Sequence, residues 1–245
     1  MTADEIRLKW SEVERQAIDA IAASMGAPGF DAQLQDHNPI YYLAQKVFFE
    51  NDPSLLYAPL HRDIFSKELL SWALEPDAHS SGGLNLLVQR ESYKTTFTHG
   101  VFPMFLAMRG KYVDGIDIRI LLMHHKFEMV SRNLKKLKGK SVQNPWLKTV
   151  WGEAPFKFTA ESDYGTGEAF DWPCKKLDPD VTENSITAAG MGASFAGSHF
   201  NWILVSDPVT EEHRDSKTLR DEAKDKLEAS IYMLDSKTGK LVIDG

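Results

Sequence analysis

The chain has 245 residues, 42% of them hydrophobic and 26% charged, with a formal net charge of −7. That length supports a sizeable buried core, and so acidic a chain does not coat nucleic acid over its whole surface, so contact with DNA needs a local basic patch. The single cysteine, Cys174, excludes an internal disulfide and a cysteine-based zinc site, and no apolar run approaches the ~20 residues of a membrane-spanning helix.

Residues 3–24 place Ile6, Trp10, Val13, Ala17 and Ile21 at helical spacing, and Met25-Gly26-Ala27-Pro28-Gly29 ends the pattern. Helices are also predicted over 40–50, after Asn38-Pro39, and over 60–74. The three read equally well as a helical subdomain or lid and as buttresses of the core. From residue 84 the pattern alternates. A buried strand over 84–88 leads through a polar stretch into a helix over 94–108, and a strand over 116–123 leads into a helix over 126–138. After Pro145, short strands are predicted near 156–160, 168–172 and 185–189. A compact strand over 202–205 ends at Ser206-Asp207, a charged helix covers 211–234, and a last strand begins at 241–243. Strands alternating with helices predict an α/β fold with a mostly parallel sheet flanked by helices, preceded by an N-terminal helical region over 1–53. Ligands of such sheets sit at the carboxyl ends of the strands, and the ends with suggestive polar residues are Val88 and Val205.

The segment Val88-Gln89-Arg90-Glu91-Ser92-Tyr93-Lys94-Thr95-Thr96 runs from a strand through a tight polar loop to Lys-Thr at a helix start. A nucleoside triphosphate needs that order. Backbone N–H groups at the helix start face the phosphates, a lysine there reaches the β- and γ-phosphates, and the next hydroxyl, Thr95, ligates Mg2+. The match to G-x-x-x-x-G-K-[ST] is partial, because Gln89 and Tyr93 stand where glycines are expected. The same residues also read as a plain helix start, with Ser92 or Thr95 as cap and Lys94 solvated. Arg90 would crowd Lys94 unprofitably unless a polyanion binds; its alternative is a surface pair with Glu91. A second acidic site follows the apolar strand Trp202-Ile203-Leu204-Val205. Asp207 there fits a metal-organising or water-orienting acid, with Glu211 and Glu212 close behind. Asp207 before Pro208 also reads as a turn, and Glu211 and Glu212 as ordinary first-turn acids.

In order, these segments resemble the large subunit of tailed-virus terminases, from about Ser54 to the C-terminus. Tyr57-Ala58-Pro59-Leu60-His61-Arg62-Asp63-Ile64-Phe65 looks like that family's stretch near the adenine, which includes His61. Val88 to Thr96 looks like its deviant P-loop, with an early arginine and a lost glycine. Arg119-Ile120-Leu121-Leu122-Met123-His124-His125 resembles the strand after the P-loop. Gly197-Ser198-His199-Phe200-Asn201-Trp202-Ile203-Leu204-Val205-Ser206-Asp207 resembles the glycine, spacer and Walker B strand.

The resemblance implies a P-loop NTPase (ASCE/RecA-like) core over 54–245. It implies ATP and Mg2+ held by His61, Gln89, Arg90, Glu91, Ser92, Tyr93, Lys94, Thr95 and Thr96. Lys94, Arg90, Asp207 and Glu211 would be catalytic, with Thr95 and Asp207 at the metal. It further implies a motor driving double-stranded DNA into a procapsid in the host cytoplasm. Its partners would be the portal protein and the small terminase subunit, in a homo-oligomeric ring when assembled, with no membrane. Ser206 departs from the pattern, since many relatives carry an acid there. The family's nuclease domain has no room before Gly245, so a fragment or an isolated motor domain is expected. A helicase-like translocating ATPase and a non-catalytic scaffold with a decayed P-loop are the alternatives.

Lys126, Arg132, Lys135, Lys136, Lys138 and Lys140 form a basic run, either a DNA or partner contact or a solvated helix face. His124 and His125 adjoin a strand end and point to opposite faces, so they do not share one metal. Tyr164-Gly165-Thr166-Gly167-Glu168 reads as a turn or a gate.

Overall fold

A computed structural model describes residues 38–75, 82–110, 114, 116–145, 147, 168–172, 183–193, 197–236 and 238–245. The expected helix over 3–24, the strand near 156–160 and most of the loop at 164–168 lie outside the described residues. No helix among the described residues is long and apolar enough to cross a membrane.

The chain enters through α1 (Pro39–Leu43), where Pro39 occupies the first turn and the Asn38 side chain accepts the N–H groups of Ile40 and Tyr41. A π-helical turn, Ala44–Phe48, prolongs it. A second helical stretch comprises α2 (Ala58–Leu60), a π-helical segment His61–Ser66 and α3 (Lys67–Leu74). Next come β1 (Gly83–Leu86), α4 (Lys94–Thr96), the π-helical Phe97–Val101 and α5 (Phe102–Arg109). Then follow β2 (Ile120–His124), α6 (Phe127–Gln143), β3 (Ala169–Phe170), β4 (Ile186–Gly190) and β5 (Trp202–Ser206). The chain closes with α7 (Glu211–Asp215), α8 (Lys217–Ile231) and β6 (Lys240–Asp244).

The strands form one sheet in the order β1-β6-β5-β2-β4-β3, parallel throughout except for the antiparallel edge strand β3. The fold is therefore α/β with a mostly parallel sheet flanked by helices. Side chains alternate across β2 and β5. Ile120, Leu122, Trp202 and Leu204 enter one core with Phe97, Phe102, Phe105 and the inner face of α6. Leu121, Met123, Ile203 and Val205 enter a second core, packed against Leu227, Met233 and Leu234. Burial on both faces is why these strands read as unbroken apolar runs. Helix α6 buries Val130, Leu134 and Leu137, the stripe that helical periodicity requires.

Two expected elements differ. The strand predicted over 116–123 begins only at Ile120, and Ile116 is exposed. The helix predicted over 211–234 divides at Ser216, whose extended backbone ends α7 and whose hydroxyl accepts the Leu219 N–H to start α8. A serine competes for backbone groups and favours such a cap over a helix interior.

Register aligns the strand ends. Leu86 lies level with Asp244, Asp244 with Ser206, Ser206 with His124, and His124 with Gly190. The loop after β1, the end of β6, the Ser206-Asp207 corner and the His124-His125 pair thus share one edge.

Candidate functional site at the strand ends

The loop leaving β1 reaches the helix start at Lys94 through two left-handed residues, Glu91 at φ 65° and Tyr93 at φ 57°. With Asp207, at φ 44°, these are the non-glycine residues of positive φ among the described residues, and all three line the same cleft. A left-handed backbone costs an L-residue about 1–2 kcal/mol. Tyr93 therefore adopts, with strain, the conformation that a glycine before the lysine would take freely, whereas Gln89 does not.

The loop is braced from inside. The buried Ser92 hydroxyl donates to the Gln89 carbonyl at 2.7 Å. His61, also buried, accepts the Tyr57 N–H on Nδ1 at 2.8 Å, so its proton is on Nε2, which donates to the Ser92 carbonyl at 3.0 Å. Its ring stacks on Phe97 at 5.4 Å. His61 is thus placed under the loop rather than on the cleft wall. Tyr93 sets its ring edge-on to Phe49 at 5.1 Å. The Gln89 side chain is exposed and away from the cleft lining, while Arg90, Glu91, Ser92, Tyr93, Lys94, Thr95 and Thr96 all line it.

Across the cleft, Asp207 ends β5. Its Oδ1 accepts the Lys94 ammonium at 2.8 Å, with the lysine side chain only 12% exposed. Its Oδ2 faces His124 Nε2 at 3.9 Å. Nδ1 of His124 accepts the Lys126 N–H at 3.0 Å, so Nε2 carries the proton and turns it toward the acid. Burial, with the neighbouring His125, holds the His124 pKa down to about 4, which keeps the ring neutral. His125 Nδ1–H donates to the Asp207 carbonyl at 2.8 Å, pinning the strained corner.

Ser206 stands just before Asp207 and is fully buried. Its hydroxyl meets Thr95 Oγ1 at 2.8 Å and Asp244 Oδ1 at 2.8 Å. The Thr98 hydroxyl donates to the other Asp244 oxygen. Asp244 has no exposed surface, and burial raises its pKa to about 6 against the pull of Thr98, Ser206 and Lys94. Sequence reading missed this carboxylate, because it follows a short apolar run at the chain end and only the β1-β6-β5 register brings it to Ser206 and Thr98.

At the cleft mouth Arg90 Nη2 pairs with Glu211 Oε1 at 2.9 Å, not with Glu91, and both side chains are largely exposed. Glu212 also lines the cleft, which holds about 1290 Å3. Its wall joins cations from one loop to acids from the other. In chemical terms it can take a polyanion on Lys94 and Arg90 while presenting oxygen donors from Thr95 and Asp207 to a hard cation. No protein-family model matches the chain, and no curated protein matches it.

Proposed function

We propose that this chain is a P-loop ATPase, the motor domain of a viral DNA-packaging terminase large subunit. The observation that carries the reading is the meeting of Lys94, at the helix start after β1, with Asp207, at the end of β5, in one cleft at 2.8 Å. The donor set fits Mg2+. Thr95 and Asp207 supply oxygen ligands, and no group of three or more His, Cys, Asp or Glu side chains gathers into a metal site among the described residues. Mg2+ commonly takes one or two protein ligands and fills its shell with phosphate and water oxygens. When bound, it supplies charge neutralisation to the phosphates.

Lys94 exchanges the Asp207 carboxylate for phosphate oxygens, and Arg90 exchanges Glu211 for the same anion. Backbone N–H groups at the start of the helical stretch face that charge. Asp207, freed from Lys94, would help hold Mg2+ when it is bound, and orients the attacking water. Hydrolysis joins the water oxygen to the γ-phosphorus and breaks the bond to the bridging oxygen, which leaves with ADP, while both water protons stay on the released phosphate as H2PO4−. The neutral His124 N–H faces Asp207 from behind, 3.9 Å away. Glu211 is set farther out, where it answers Arg90. The exposed Lys126, just before α6, and Arg132, Lys135 and Lys136 along it are the candidate contact with double-stranded DNA. The portal protein, the small subunit and the ring assembly rest on the resemblance.

One observation favours a second reading, a scaffold that no longer binds nucleotide: Lys94 and Arg90, the two cations of the loop, already have carboxylate partners. Direct binding and turnover of Mg2+-ATP by the wild type, Lys94→Ala and Asp207→Ala separates the two. Binding abolished by Lys94→Ala supports the motor. No binding at millimolar ATP, with an unchanged melting temperature, leaves the scaffold.

A further inference from the structure

Asp244 is an expensive residue to bury. It lies between β1 and β5 in the sheet, has no exposed surface, and touches two hydroxyls and no cation directly. The ammonium of Lys94, whose charge acts on Asp244, is already engaged by Asp207. A buried charge answered only by neutral donors is destabilising, and an apolar residue would pack there more favourably. Its contacts show what the carboxylate accomplishes.

A serine hydroxyl has one hydrogen. An ionised Asp244 only accepts, so the Ser206 hydrogen points to Asp244 Oδ1, over 2.8 Å. The 2.8 Å contact between Ser206 and Thr95 then has one possible direction: Thr95 donates and Ser206 accepts. With its hydrogen turned inward, Thr95 Oγ1 offers lone pairs to the cleft that it lines. Thr98 donates to Oδ2 and holds the acid in this orientation.

We infer that Asp244 is the positioning carboxylate of the metal site, fixing the direction of a relay from Thr95 through Ser206 so that the threonine oxygen is presented as a ligand to a divalent cation. It takes over, one strand away and through a hydroxyl, the negative charge that position 206 lacks. The inference rests on the reading of the cleft as a metal–nucleotide site and adds a residue to it. Asp244 touches neither metal nor nucleotide. Its removal costs metal affinity and leaves the phosphate contacts of Lys94 in place.

The test is ATP binding by calorimetry, in saturating Mg2+ and in EDTA, for the wild type, Asp244→Asn and Ser206→Ala. Both variants are near-isosteric, and binding in EDTA shows that the loop is still folded. The wild type is expected to bind more tightly with Mg2+. In both variants that advantage falls about tenfold or more, as for other outer-shell partners of metal ligands, while the EDTA constant moves less than about twofold. Variants that keep the wild-type Mg2+ advantage overturn the inference and leave the nucleotide site standing. Equal loss with and without metal also overturns it, because Asp244 then only props the loop. A wild type that binds ATP but gains nothing from Mg2+ overturns the metal relay alone. A wild type that binds no ATP in either condition overturns the site and the relay together.

Discussion

Lys94 and Asp207 neutralise one another across 2.8 Å, from a loop and a strand that are far apart in sequence. An anion entering the cleft has to displace Asp207 from the ammonium. Asp207→Asn removes that competitor. Metal-free ATP is therefore expected to bind Asp207→Asn a few-fold more tightly than wild type, a modest gain because Asp207 is part-exposed and solvent screens the pair. Turnover with Mg2+ is expected to fall by about 100-fold or more in the same protein. Weaker metal-free binding in Asp207→Asn would show that the pair does not gate the anion.

Tyr93 allows a cleaner test of backbone strain. At an ordinary helical or strand position glycine is less stable than alanine. At φ 57° the order inverts. Tyr93→Ala and Tyr93→Gly lose the same contact with Phe49, so their difference isolates the backbone. Tyr93→Gly is expected to exceed Tyr93→Ala by about 1 kcal/mol in urea denaturation. An alanine variant at least as stable as the glycine variant would remove the strain argument.

The parts legible in the sequence were those with a local cause. Ile120–His124 and Trp202–Ser206 are buried on both faces, so each shows as an apolar run, and the second ends at Ser206 with Asp207 next in the chain. Lys94-Thr95 after a strand was legible through helix-start chemistry. Tyr93 was not, because no pattern marks an aromatic residue that surrounding contacts force into the left-handed region. His61 was assigned by resemblance to the neighbourhood of the base, and the structure sets it beneath the loop, with Nε2 on the Ser92 carbonyl. Asp244 was invisible for a different reason. Its partners Thr98 and Ser206 lie on other elements, and only strand register joins them.

His99 makes acid stability predictable. It is buried, its Nε2–H donates to the Leu204 carbonyl at 3.0 Å, and desolvation drives its pKa down to about 3. A free histidine titrates near 6.5. The unfolded chain therefore takes up a proton that the folded chain refuses. The stabilising contribution is full above about 6.5 and is lost as pH falls toward 3. His124, held down to about 4, acts in the same direction. Between pH 7.5 and pH 5, wild type is expected to lose about 2 kcal/mol more than His99→Gln. Parallel losses in the two proteins would contradict the burial of a neutral ring.

Asp244 has the opposite linkage. Its pKa is raised from 3.8 to about 6, so the folded chain holds a proton that the unfolded chain releases. The contribution to stability is full below about 4 and disappears as pH rises through 6, leaving a buried charge at neutral pH. Asp244→Asn removes this dependence. Its hydrogen bonds to Thr98 and Ser206 rearrange, so its stability at any single pH also carries that change. The pH-dependent part cancels the rearrangement. On going from pH 4.5 to pH 7.5, the stability of Asp244→Asn relative to wild type is expected to rise by about 2 kcal/mol. The titrations of His99 and His124 are common to both proteins and drop out of the difference. A difference that stays flat with pH would mean that Asp244 ionises in the folded chain as freely as in water. Its burial would then carry no energetic cost for function to explain.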